Sequence, residues 1–155
     1  MKLSTRDEKS YPKFSSYLKS NFPKLIHVKA IVGNVAKYGN LDFVEFVSAS
    51  RYGTLPEIRI TDLHNGQCAV PKAYGCFRNA KPEFIEIHTQ VVLDFETAQV
   101  SSSDRNLKGR AVYVAGATLL HELCHWGNFN NVPPVPELKE MGEAFELATY
   151  GKVIY

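Results

Sequence analysis

No stretch of this sequence approaches the roughly 20 consecutive apolar residues needed to span a bilayer, and the opening MKLSTRDEKS is charged with no apolar run after it, unlike a signal peptide. Charge of one sign is missing too. The net charge is +2 and the basic residues are scattered, which excludes the electrostatic stripe of a nucleic-acid binder. Cysteine is scarce: Cys68, Cys76 and Cys124 make no C-x-x-C pair and are odd in number, against a disulfide framework and against a cysteine-rich metal site. They read as reduced structural thiols, with a Cys68 to Cys76 bridge open to the chain in an oxidising compartment. Internal repeats, low-complexity tracts and linkers are also lacking, so residues 1–155 read as a single domain. Its 45% apolar and 22% charged residues are those of a soluble globular protein able to bury a core.

What is there is a succession of short patterned segments. Ser10 before Tyr11-Pro12 predicts a helix start, with Phe14, Tyr17 and Leu18 on one side and Asn21-Phe22-Pro23 as the stop. LIHVKAIVG fits either a helix or a strand, and residues 41–47 mix the two patterns. Residues 57–61 alternate cleanly between Pro56 and Asn65-Gly66 and predict a strand; residues 83–88 predict another, and TQVVLDFETA a helix. From about Gly109 to Trp126, Val112, Ala115, Leu119 and Leu123 form one helical stripe, with Gly127 where a C-cap glycine belongs. Pro136 suits the first turn of a last helix, whose stripe of Leu138, Met141, Ala144, Phe145 and Ala148 ends at Gly151. The fold class is α+β.

Residues 121 to 125 read His-Glu-Leu-Cys-His, an H-E-x-x-H pattern inside the best-patterned helix. Positions four apart stack on a helix, so both imidazoles can bind one ion, while Glu122, about 100° round, reaches a water on it. The pattern also arises by accident, so its surroundings decide. His121 and His125 share a face with Val114, Ala117 and Thr118, separate from the apolar stripe; a helix packed on both sides must give buried histidines partners. Cys124 points away from His125 and reads as a small buried hydrophobe, and Trp126 as core.

Two histidines leave a zinc site short of a ligand, and no histidine follows His125. The last helix supplies Glu140, Glu143 and Glu146. At about 100° per residue, Glu146 flanks the apolar stripe beside Gly142, whose missing side chain lets another element come close. Glu143 points away from the stripe, and Glu140 sits in the first turns, where an acid commonly serves the helix dipole. Glu146 is therefore the favoured third ligand and Glu143 the alternative. With Zn2+ on His121, His125 and Glu146, Glu122 would act as general base towards the attacking water and pass the proton to the leaving amine. Tyr150, one turn beyond Glu146, is the candidate oxyanion donor, with packing as its competing role. His88, beside the strand EFIEI, is a candidate for lining the cleft.

With these residues in view, GATLLHELCHWGNFNN followed by EMGEAFELATYG resembles the zincin-like metallopeptidase toxin domains of bacterial polymorphic toxins, of the gluzincin-like kind with HExxH and a downstream glutamate. The match is specific in the last third of the chain and looser over EFIEIHTQVVLDFE. The resemblance implies a minimal zincin fold, in which a small sheet packs on the active-site helix and a C-terminal helix bears a ligand. The roles of His121, Glu122 and His125 carry over directly, and Glu146 matches the fixed acidic position. It implies a zinc peptidase acting on a peptide or protein substrate, as an antibacterial or anti-host effector. Delivery would be by a bacterial secretion system, as the C-terminal part of a longer polypeptide, with a cognate immunity protein as partner. A rival expectation keeps the zinc and drops the catalysis, giving a zinc-stabilised binding domain. Such a closed site needs a fourth protein ligand, which His27, His64 or His88 would have to supply.

Overall fold

Ser4 sets the first helix. Its hydroxyl oxygen accepts the Asp7 N–H at 3.1 Å, an N-cap that starts α1 (Thr5–Ser10) ahead of the helix start expected at Ser10. Tyr11, held out of helical backbone by the proline after it, separates α1 from α2 (Pro12–Ser20), where Pro12 occupies the first turn. A 3-10 turn (Phe22–His27) leads to α3 (Lys29–Gly39), so the ambiguous LIHVKAIVG segment is helical, with Ile31, Val35 and Gly39 as its buried row. Residues 41–47 enter α4 (Phe43–Ser50) because Asp42 and Glu45 form a capping box, each carboxylate accepting the other's backbone N–H at 2.8 Å.

The computed structural model describes residues 1–65, 68 and 71–154. Gly66 of the Asn65-Gly66 pair, and Ala69 and Val70 of the CAVPKAYGC segment, lie outside the described residues. β1 (Glu57–Thr61), β2 (Gly75–Phe77) and β3 (Phe84–His88) form a sheet in the order β1-β3-β2, with β1 parallel and β2 antiparallel to β3. The strands expected at 57–61 and 83–88 are present; β2 is too short to display an alternation and was not foreseen. Lys2 bridges to Glu57 on the far side of β1, and β2 forms the opposite edge. Cys76 of β2 is disulfide-bonded to Cys68, their Cα atoms 6.1 Å apart, so only Cys124, buried, is the free thiol expected of all three.

α5 (Thr89–Glu96) and a 3-10 turn (Val100–Ser102) lead into the hairpin β4 (Ser103–Arg105) and β5 (Ala111–Tyr113). Its strands claim residues 111–113, so α6 (Val114–Asn130) begins later than Gly109. Nor does α6 stop at Gly127. A Cβ there would overlap the Gly39 carbonyl oxygen, and one at Gly39 would lie 2.8 Å from Cα of Cys124. Glycine at these two positions lets α3 and α6 cross at close range, which is a packing role and not a cap. α7 (Met141–Tyr150) ends as expected, with Gly151 at φ +80°, but starts after Pro136 because Glu140 is its N-cap. Leu138, outside the helix, is 94% exposed and belongs to no stripe.

α6 is the middle layer. β2 and β3 pack on one side of it and α3 and α7 on the other. Ala115, Leu119 and Leu123 are buried, and so are Val114, Ala117 and Thr118, the two-sided burial expected of this helix. Phe14, Phe22, Phe46, Ile58, Ile85 and Phe145 extend the same contiguous core. The architecture is mixed α+β, with a small sheet set against a central helix. No helix among the described residues is long and apolar enough to cross a membrane.

Candidate metal centre

The H-E-x-x-H residues lie in α6, whose burial on both sides forces the two imidazoles into a polar seam between α6, α7 and the residues joining them. His121 Nε2 and His125 Nε2 turn towards the same carboxylate oxygen, Glu140 Oε1, at 3.3 and 2.5 Å. The ring centroids are 5.2 Å apart. His121, His125 and Glu140 thus form a group whose ligand atoms lie within 4.8 Å of one another. Glu122 stands at its side, Oε1 4.0 Å from His121 Nε2.

Glu140 reaches this place through its duty at the start of α7. Its Oε1 accepts the Gly142 N–H and its Oε2 the Glu143 N–H, which fixes the side chain at the helix N-terminus with Oε1 also turned to the imidazoles. The last helix starts later than Pro136, so Glu140 is its N-cap and not, as expected, an acid within its first turns. Glu146, the favoured third ligand from sequence, is not in the group. Its Oε1 is 2.8 Å from Nδ1 of His121, the ring edge remote from Glu140, and its Oε2 accepts the Ile154 N–H at 2.6 Å. Glu143, the alternative, is exposed. Gly142 does permit the close approach expected of it: a Cβ there would run into the His121 ring.

His125 has a carboxylate behind it as well. Its Nδ1 lies 2.7 Å from Glu137 Oε2, while Glu137 Oε1 accepts from the Asn128 amide at 2.7 Å. Sequence reasoning missed Glu137, because it sits in the non-helical residues before α7, where no periodicity marks it. It also missed β2. A Cβ at Gly75 would come within 2.6 Å of Glu122 Cγ, so glycine lets the strand lie directly on the Glu122 side chain.

The electrostatics follow from this crowding. Burial opposes charge on His121, but its hydrogen bonds to Glu140 and Glu146 prevail and hold its pKa up at about 10. His125 is also raised: burial opposes its charge, and the Glu140 hydrogen bond together with the Glu122 and Glu137 charges outweighs burial. Burial works to raise Glu140, yet the two imidazoles hold it well below the usual carboxylate range. Glu122 moves the other way: burial pushes it up, against the pull of His121, His125 and the Phe77 backbone N–H. Two imidazoles among four carboxylates need positive charge. Protons on the rings are one source, and a divalent cation among these nitrogen and oxygen donors is the other.

The group opens on a cleft of about 1450 Å³, lined by β2, by residues 134–137 and by the α6 face bearing Thr118, His121 and His125. Tyr150 is not among the lining residues; it is buried, packs edge-on against Phe145, and its hydroxyl pKa is raised by burial. His88 does not line the cleft either. β3 is the central strand, and His88 lies buried beneath His64, their rings stacked at 3.8 Å, with Nδ1 accepting the Leu63 N–H. Asp62, His64 and His88 come close enough to suggest a second cation group, but stacked rings send their in-plane lone pairs side by side and not to one point. His27 is exposed, and among the described residues none of His27, His64 and His88 joins the His121, His125 and Glu140 group.

No curated protein and no solved structure gives a significant match to the chain. The family model described as metallopeptidase toxin 3 matches residues 7–151, from α1 to the glycine that ends α7, and so includes every residue of the candidate metal centre. The chain belongs to the metallopeptidase toxin 3 family.

Proposed function

We propose that the chain is a zinc-dependent peptidase in which His121, His125 and Glu140 hold the ion and Glu122 is the general base. The observation that carries this reading is the convergence of both Nε2 atoms on one Glu140 oxygen, with Glu122 beside them at the floor of a cleft. Bound zinc supplies Lewis acidity, polarising a scissile carbonyl and making water a better acid. Glu122 takes the water's proton and returns it to the leaving amine. Burial raises its pKa above that of an ordinary carboxylate, which makes it the stronger proton acceptor. Glu146 keeps its carboxylate at the back of His121 and orients that ring. β2, the sheet edge in the cleft wall, offers backbone groups to an extended peptide. Tyr150, buried and outside the cleft, serves packing in this reading and not the oxyanion.

Family membership supports action as a toxin on peptide or protein substrates inside a target cell. Delivery by a bacterial secretion system within a longer polypeptide, antibacterial or anti-host use and a cognate immunity protein belong to the same proposal. The competing reading, a zinc-stabilised interaction domain, needs a closed site, and the three-residue group facing a cleft disfavours it.

Metal analysis of the purified chain and its Glu122→Ala variant, with cleavage of an unfolded protein substrate, tests the proposal. One zinc per chain in both proteins, with activity reduced by about 10²–10⁴ in the variant, is the expected result. Absence of zinc from the wild type, or equal activity of the two, overturns it.

A further inference from the structure

Behind His125 lies a chain of hydrogen bonds that ends far from the cleft. Glu137 accepts from His125 Nδ1 with one oxygen and from Asn128 Nδ2 with the other, each at 2.7 Å. Asn128 is 1% exposed and fully used: Nδ2 also donates to the Tyr38 carbonyl at 2.8 Å, and Oδ1 accepts from Asn40 Nδ2. Asn40 is the left-handed residue that ends α3, at φ 49°. The backbone is fastened alongside, with the Val135 N–H on the Asn128 carbonyl at 2.8 Å.

The donor and acceptor bookkeeping leaves little freedom. Asn128 has acceptors on its nitrogen side and a donor on its oxygen side, so only one amide orientation satisfies it. That orientation points an N–H at Glu137. Glu137 therefore meets a donor on both sides, the Asn128 amide and the His125 ring, and of the side chains of its length only a carboxylate accepts from both. Holding the proton on Nδ1 leaves Nε2, the nitrogen that faces Glu140, as the atom of His125 able to ligate an ion.

We propose that Glu137 is the positioning residue of His125, and that the Asn40 and Asn128 amides set Glu137, so that the C-terminus of α3 contributes to metal affinity. The inference rests on His125 being a zinc ligand. Glu137→Gln tests it directly, because the amide places a donor against one of two donors. Asn40→Gly tests the far end: glycine keeps the left-handed backbone and removes only the amide that bonds Asn128.

Zinc affinity is read by competition with a chromophoric chelator, alongside the visible spectrum of the Co2+-loaded chain and the unfolding midpoint of the metal-stripped chain. Glu137→Gln should weaken zinc binding about 10- to 100-fold and alter the Co2+ bands, while the metal-stripped midpoint stays within a few degrees of wild type. Asn40→Gly should weaken binding in the same direction by a few-fold. Wild-type zinc affinity in Glu137→Gln overturns the proposal and leaves the metal centre standing. A midpoint that falls in Asn40→Gly while its affinity holds overturns the part assigned to α3. A wild type that binds no zinc overturns the metal reading itself.

Discussion

Gly142→Ala separates this structure from a reading of the helix alone. Replacing glycine by alanine in α7 should, from helix propensity, stabilise the chain by up to about 1 kcal/mol. The structure reverses the sign. A Cβ at position 142 would occupy the space of the His121 ring, which is held on one edge by Glu146 and faces Glu140 on the other. If the ring swings away, it forfeits the bond to buried Glu146, a charge-assisted interaction of about 1.5–3 kcal/mol. If it stays, the overlap costs about 1–3 kcal/mol as overpacking. After the full propensity gain is subtracted, the first route leaves a loss of about 0.5–2 kcal/mol and the second a loss of up to about 2 kcal/mol, which is up to about 8 °C in the unfolding midpoint of a chain this size. Displacement of Nε2 should lower zinc affinity at least about tenfold, which is about 1.4 kcal/mol. Thermal unfolding of the metal-stripped chain and chelator competition read the two effects separately. An alanine variant as stable as wild type, binding zinc equally well, would refute the packing of α7 on His121.

Gly75→Ala carries the same logic to Glu122. The added Cβ would meet Glu122 Oε1 at 2.7 Å, so peptide cleavage should drop at least about tenfold with zinc retained, and unchanged turnover would show that β2 does not lie on Glu122. In the metal-stripped chain, stability should depend on pH through His121 and Glu140. The His121 pKa is raised to about 10 from an ordinary 6.5, so its contribution is complete below about 6.5 and disappears as pH climbs through about 10. Glu140 is depressed below its ordinary 4.5, so its contribution is present above that value and lost on acidification. Urea unfolding at about pH 5.5, 7.5 and 9.5 should give stability that falls along the series; a flat or rising profile contradicts the carboxylate cage.

The imidazole pair and the glutamate between them were legible because a covalent spacing on a helix determines their placement. Positions 121 and 125 stack whatever surrounds α6, and the two apolar faces of that helix announced burial on both sides. The strands at 57–61 and 83–88 and the glycine ending α7 were legible for the same reason, since a period of two or a left-handed residue is a local property. The capping signals of α1 and α4, Ser4 with Asp7 and Asp42 with Glu45, were also present in the sequence, although periodicity alone did not reveal them.

Tertiary structure decided what joins the histidines. Which acid approaches Nε2 depends on where α7 begins, and that start is a competition between Pro136 and the Glu140 cap; the cap won, and with it Glu140 took the place beside the rings while Glu146 went behind one of them. Glu137, β2 and the Cys68 to Cys76 bridge lie in segments with no period, so their contacts exist only once α6 has been packed between the sheet and α3. Gly127 shows the difference most plainly. By position it looked like a stop signal, and the close crossing of two helices made it a contact.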